Sequence, residues 1–336
     1  MKKDTIAIVA PVHIQPSQNW IQSLDAVSRG KDNVKVIIVD DSDGKVKLPP
    51  NWEVYDYAKQ KEVLGEEMYK EFEQFHKSSA CKNFGTFLAY AQEFDYVIIL
   101  DSDCVVPPNL ISQHLEAVSR KTTLWQNPIN GTDWFPRGFP NSGRALPVAA
   151  NVGLWINELD INGKDRVDRG QPPRDHLNYG INRAYGIIPF SGMNVCVRGE
   201  DIPALLFLPN GEFGEHKFRR HDDIWGGYIF QRIMRDILSK GITYGDPTVF
   251  HETEVNAAED AAAELGMGAM EDEFYLFVED CFKSMPVVGL EDAPTAMEFF
   301  ARAFEKKCDK WDGFACFIPA FKFWTKLFTP VKEETK

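Results

Sequence analysis

The sequence predicts an α/β protein built on an open, largely parallel sheet. Two β-branched, nearly continuous apolar runs, "TIAIVAPV" and "VKVIIVDDSD", are separated by a helix-spaced segment. A third run, "YVIIL", is reached through another helical segment, so the first hundred residues alternate strand and helix. Runs that are apolar at every position belong to strands covered on both faces. A chain of 336 residues with 44% apolar content can bury such a core.

The elements follow in order. Trp20, Ile21, Leu24 and Val27 recur at helical spacing behind Ser17 as N-cap, which completes a βαβ unit. Residues 78–92, "SSACKNFGTFLAYAQ", predict the next helix. From Thr122 to Arg198 the chain is rich in Gly, Pro and Asn, and long aperiodic stretches such as "NGTDWFPRGFPNSGR" predict functional or disordered loops. Between these loops, "PVAANVGLWI" and "YGIIPF" (residues 185–190) are expected strands. Residues 222–239 predict an amphipathic helix, with Ile224, Tyr228, Ile229, Ile233, Ile237 and Leu238 inward and acids in its first turn. Helical patterns near 258–284 and 293–309 lead to an aromatic end, "WDGFACFIPAFKFWTKLF", expected to pack against the domain rather than enter a membrane.

Charge and cysteine usage exclude several function classes. The formal charge is −13, and nearly all of it lies between Glu252 and Glu305, where fourteen acids face two bases, Lys283 and Arg302. A nucleic-acid backbone needs a clustered positive stripe, so it is a poor partner, whereas a compact phosphorylated ligand needs only a few local cations and a metal. The six cysteines show no CxxC pair and fit reduced, buried thiols better than a disulfide frame or zinc site. No apolar run is long enough to span a bilayer, and "MKKDTIAIVAP" lacks a signal-peptide pattern, so a cytoplasmic location is expected.

In open parallel sheets, ligands bind beyond the carboxyl ends of the strands, which is where Asp40, Asp41, Asp101 and Asp103 fall. In "VIILDSDCVVPP" two carboxylates one residue apart follow a strand, the arrangement that holds Mg²⁺ or Mn²⁺ against a diphosphate. The plainer alternative is a turn leading into Pro107 and Pro108.

Four segments in order resemble one family, the reversibly glycosylated polypeptides, also known as UDP-arabinopyranose mutases. They are "VIILDSDCVVPP"; "WFPRGFPNSGR" followed by "NVGLWIN"; "IPFSGMNVCV"; and "HDDIWGGYIFQRI" leading to "VFHETEVN". The agreement runs from about residue 6 to 256, and looser similarity extends through the tail. The resemblance implies a glycosyltransferase-A-like fold over residues 1–256, an open mixed sheet flanked by helices with a Rossmann-like nucleotide-binding half (1–110) and a sugar or acceptor half (111–256), then an acidic helical extension (257–336). It implies a UDP-sugar substrate and a divalent metal, Mn²⁺ or Mg²⁺, with Asp103 and His251 as metal ligands and Asp101 as a ribose or metal-water contact. Where the family carries three consecutive aspartates, this chain has Ser102 in the middle. By the same resemblance, Pro11 and Val12 line a uracil pocket and Asp40 or Asp41 contacts the uridine. Lys77, Ser78, Lys82 and Asn83 would then lie near the uridine or diphosphate, although the sequence alone favours exposed helix charges for Lys77 and Lys82.

In the family, two arginines seven residues apart serve reversible glycosylation and mutase activity; Arg137 and Arg144 keep that spacing. Both also suit a simpler role as phosphate clamps, since a guanidinium presents paired donors. Should Arg137 attack the sugar, a carboxylate must take its proton, and Asp222 or Asp223 is the candidate. Acids at a helix start also stabilise the dipole with no catalytic role. The family's Tyr is His221 here, and Ala-Leu follows Arg144 where an acid and glycine are usual. The implied activity is interconversion of UDP-L-arabinopyranose and UDP-L-arabinofuranose. The alternatives are transfer of a sugar to a separate acceptor, or a non-catalytic UDP-sugar-binding subunit. The acidic tail has three open roles: covering the pocket, pairing subunits into a homo-oligomer, or keeping the chain soluble.

Overall fold

Each apolar run becomes a strand whose two faces meet two different cores. The computed structural model describes residues 3–123, 136–138, 140–141, 144–158, 161, 163–170, 187–188, 190–213, 216–253, 256–285, 290–310 and 312–328. Its first half runs β1 (Ile6–Val12), α1 (Gln18–Ser28), β2 (Val34–Asp40), β3 (Glu53–Tyr55), α2 (Tyr57–Phe72), α3 (Lys82–Ala91), β4 (Tyr96–Leu100), β5 (Cys104–Val105), α4 (Leu110–Ser119) and β6 (Lys121–Thr122). The second half runs β7 (Leu146–Asn157), α5 (Gly163–Arg169), β8 (Asn194–Arg198), β9 (Gly211–Phe213), β10 (His216–Phe218), α6 (Asp222–Arg232), β11 (Gly241–His251), α7 (Ala257–Lys283), α8 (Ala293–Cys308) and α9 (Ile318–Phe328).

Nine strands join in the order β3-β2-β1-β4-β8-β7-β11-β5, with β6 beside β7. β3, β2, β1 and β4 are parallel, β8 runs antiparallel between β4 and β7, and β7 and β11 resume the parallel direction. This is the expected open mixed sheet flanked by helices. Ala7, Val9, Ile37, Val39, Val97 and Ile99 face one core, while Ile8, Ala10, Val36, Ile38, Ile98 and Leu100 face the other. Trp20, Leu24 and Val27 of α1 and Leu110 and Val118 of α4 close the second core. Ser17 Oγ accepts the Trp20 N–H at 3.0 Å, the expected N-cap, worth about 1 kcal/mol.

The first core is closed by α3, α6 and the three tail helices, which contribute Phe84, Trp225, Phe274, Phe300 and Phe321. Trp225 stacks on Phe274 with ring centroids 3.8 Å apart, and Trp324 Nε1 donates to the Pro203 carbonyl at 2.9 Å. Phe323 meets Phe72 and Phe75 at 5.9 and 5.6 Å. The aromatic end therefore packs into the domain, as expected. Among the described residues no helix is long and apolar enough to cross a membrane. All six cysteines are free thiols, five buried and Cys316 half-buried.

Two expectations are corrected. The helix expected over 222–239 is an α-helix to Arg232 and then a wider π-turn over Ile233–Ile237. It is buried from Trp225 through Arg232 on every side, because the tail helices cover the face that periodicity assigned to solvent. The strand expected over residues 185–190 is also absent at Ile187, Ile188 and Phe190; the other positions lie outside the described residues. Here a side chain replaces a neighbouring strand: Gln231 accepts the Ile188 N–H at 3.1 Å and donates to its carbonyl at 2.7 Å. The strand forms instead at β8.

Candidate functional site

At the carboxyl edge of the sheet a cleft of about 390 Å³ is lined by Asp101, Asp103, His251 and Thr253 on one wall. Pairing of β5 with β11 sets this wall. His251 is in register with Cys104, which puts its imidazole beside the neighbouring Asp103. His251 Nε2 lies 3.3 Å from Asp103 Oδ2, Thr253 Oγ1 donates to the same oxygen, and the Glu252 N–H donates to the Asp103 carbonyl at 2.9 Å. Burial raises the pKa of Asp103, but the hydrogen bond and charge of His251, with Thr253, bring it down to about 2. His251 Nδ1 is 2.7 Å from the Glu158 carbonyl. A carbonyl only accepts, so Nδ1 carries a hydrogen, and Nε2 is the nitrogen that faces Asp103 and would ligate a metal.

Asp101 has a different partner. Its Oδ1 lies 2.5 Å from Lys82 Nζ, which also donates to the Gly192 carbonyl at 3.1 Å. Lys82 is completely buried, so its reading as an exposed helix charge is corrected. Burial acts to lower its pKa, but the charges of Asp101, Asp223 and Asp222 raise it overall. Two carboxylates and an imidazole form a donor set that fits Mn²⁺ or Mg²⁺. The three do not converge on one point: among the described residues, the cluster with ligand atoms within 4.8 Å of one another is His13, Asp41 and Cys81. Asp103 with His251 is the closer pair, and Asp101 is held toward Lys82.

Asp222 and Asp223, at the start of α6, also line the cleft but are bonded differently. Asp223 accepts the Gly192 N–H at 2.8 Å and the Ile224 N–H at 2.9 Å, so it fixes backbone. Asp222 accepts from Ser79 Oγ. Burial raises its pKa, against the lowering effects of Ser79 and Lys82. The pair thus divides into an anchor and a carboxyl suited to proton transfer.

Arg166, Arg219, Arg220 and Asp260 also line the cleft, and none of them was singled out by sequence reasoning. The only signal was "RRHDD", two arginines immediately before the acids of α6. Other expected residues lie elsewhere. Asp40 is spent on its own loop, accepting from Ser42 N at 2.8 Å and Gly44 N at 3.0 Å. Asp41 accepts from Tyr57 OH at 2.8 Å and from the Lys77 N–H, and pairs with His13 at 2.9 Å. Burial works to raise the pKa of Asp41, but these partners lower it overall. Lys77 itself is exposed, and Asn83 is buried, exchanging two hydrogen bonds with the Phe207 backbone at 2.7 and 3.0 Å. Pro11 and Val12 are buried at the end of β1; Ser78 lines the cleft. Arg137 is exposed on a turn and Arg144 half-buried, and neither is among the described residues lining the cleft. Most of the loop that precedes them, 124–135, lies outside the described residues.

Several solved structures are similar to the chain. One is glucosyl-3-phosphoglycerate synthase from Mycobacterium tuberculosis with Mn²⁺, UDP and phosphoglyceric acid, at TM-score 0.45 and 12% identity over 81% of this chain and 78% of that one. Another is S. aureus TarS with UDP-GlcNAc, at 0.39 and 10% over 93% and 75%. A third is the mannosyltransferase PcManGT from Pyrobaculum calidifontis with GDP-Man and Mn²⁺, at 0.39 and 11% over 97% and 84%. No curated protein matches the chain in sequence. The family model described as reversibly glycosylated polypeptide matches residues 1–332, essentially end to end. The chain belongs to the reversibly glycosylated polypeptide family.

Proposed function

We propose that the protein is a divalent-metal-dependent UDP-sugar enzyme, and specifically a UDP-L-arabinopyranose mutase. Beyond family membership, one observation supports this reading: a cleft at the carboxyl edge of the sheet lined by carboxylates, an imidazole and three guanidinium groups. Such a cleft suits a diphosphate lying between a cation and paired donors.

Asp103 and His251, with Asp101 beside them, would hold a divalent ion that neutralises the diphosphate as its bond to C1 breaks. Lys82 fixes the direction of Asp101. Asp223 fixes the Gly192 backbone beside Lys82. Ring contraction moves one proton: the O4 hydroxyl loses it as the furanose closes, and O5 gains it as the pyranose opens. Asp222, whose anion is disfavoured by burial, is placed to carry that proton. Capture of C1 between loss and return of UDP falls to Arg137, whose guanidinium would give a proton to a carboxylate as its bond to C1 forms and take it back when UDP displaces it, with Arg144 holding the departing diphosphate.

A second reading is transfer of the sugar to a separate acceptor. It is favoured by the position of Arg137, exposed and off the described cleft, while the cleft has three arginines of its own. Incubation with UDP-L-arabinopyranose and Mn²⁺, followed by chromatography of the nucleotide sugars, separates the two. The mutase predicts the furanose form, lost in Arg137→Ala. Unchanged substrate, with UDP released only when an acceptor is added, would sink the mutase in favour of the transferase.

A further inference from the structure

The long acidic helix α7 begins in the cleft. Asp260 and Ala263, in its first two turns, are part of the lining. Arg220, which lines the same cleft, has φ +66°, a left-handed backbone that L side chains hold only under constraint. The constraint comes from α7. Arg220 NH1 lies 2.8 Å from Asp260 Oδ1 and its Nε 3.2 Å from Glu264 Oε1.

Glu264 does a second job with its other oxygen, accepting the Gly163 N–H at 2.7 Å. Gly163 starts α5 and lies against α7 so closely that a Cβ there would come 2.5 Å from the Ala261 nitrogen. Arg166 of α5 is buried and reaches Glu158 at 3.2 Å, and the Glu158 carbonyl is what orients His251. One run of contacts therefore links the lining residues from Asp103 through His251, Glu158, α5 and Glu264 to Arg220.

We propose that Arg220, in the cleft lining, grips the diphosphate of the bound nucleotide, and that Asp260 and Glu264 of α7 are positioning residues that aim it. The inference rests on the UDP-sugar reading above and deepens it. A guanidinium is the side chain that matches phosphate oxygens with paired, fixed donors. Two carboxylates at its back hold it in one pose before the ligand arrives, so less ordering is left for binding. The acidity of the tail thus has a local use: at its first two turns it is the counter-charge of the anion-binding arginine.

The test is calorimetric binding of UDP with Mn²⁺, and of uridine as the phosphate-free control by competition, to the full chain and to R220Q, R220K, D260N and E264Q. Thermal unfolding is followed for each. R220Q should lose at least tenfold in UDP affinity with uridine affinity unchanged, and R220K should recover part of the loss. D260N and E264Q, which keep Arg220, should each lose several-fold for UDP alone; they decide the matter if R220Q does not fold. Equal losses for UDP and uridine, or an unaltered UDP affinity in R220Q, would overturn the inference while leaving the UDP-sugar reading in place. Tighter UDP binding in D260N or E264Q would overturn the positioning role, because α7 would then be competing with the ligand. A parent protein that binds neither UDP nor uridine sinks the UDP-sugar reading and this inference with it.

Discussion

Lys82 Nζ and Asp101 Oδ1 are 2.5 Å apart but unequally buried: the ammonium side chain is 0% exposed and the carboxylate 28%. Removing one partner of a buried pair costs about 3 kcal/mol or more when it strands the other charge away from water. Asp101→Ala should therefore destabilise the protein by about that amount, and Lys82→Met by less than half as much, since water can reach the remaining carboxylate. Urea unfolding of the two variants measures this. Equal losses would show that burial does not govern the pair.

His114 predicts a pH dependence of stability. It is fully buried between Asn194 and Asn151, with ring nitrogens 3.0 and 2.9 Å from their amides. Burial depresses its pKa to about 4 despite the opposing Asn194 bond. The unfolded chain, with an ordinary histidine, binds a proton that the folded chain refuses, so stability rises with pH between about 4 and 6.5. From pH 7 to 5 the wild type should lose about 2 kcal/mol more than His114→Gln, as read from unfolding midpoints at each pH. Identical slopes for the two proteins would rule the burial argument out.

The tail should be inseparable from the core. Trp324 is fully buried and its indole N–H is satisfied by Pro203, so Trp324→Ala opens a cavity and strands the carbonyl. A loss of about 4 kcal/mol is expected, with a single unfolding transition retained. Two separate transitions would mean that the tail folds on its own.

Removal of metal by chelation should abolish sugar chemistry, and Mn²⁺ or Mg²⁺ should restore it. Because the Glu158 carbonyl holds Nδ1 of His251 and leaves Nε2 facing Asp103, His251→Ala should raise the half-saturating Mn²⁺ concentration roughly ten- to a hundredfold. Mn²⁺ titration of furanose formation from UDP-L-arabinopyranose would show it. An unchanged requirement would move the ion away from this imidazole.

Much of the fold was legible because burial on both faces writes itself into β1, β2 and β4 as unbroken apolar runs. Asp101 and Asp103 were legible for the same reason, since carboxylates after such a run mark the strand's exit. Lys82 was not, because a lysine looks the same in sequence whether it is solvated or sealed beside a carboxylate. Arg166 and Arg220 were hidden among loop charges, and only contacts with Glu158, Asp260 and Glu264 distinguish them. The periodicity of α6 misled because the residues covering its outer face come from helices that follow it in the chain. Asp40 and Asn83 were expected near the ligand, yet their polar atoms serve backbone groups whose needs no local pattern reveals.

The bond from Thr253 to Asp103 joins positions 150 residues apart, across the pairing of β5 with β11. A contact of that span closes late, after the intervening strands have docked. During synthesis the first four strands can assemble long before the imidazole emerges, so a nascent chain has a sheet without a working mouth. A chain released before His251 would lack both that imidazole and the tail helices that cover the first core.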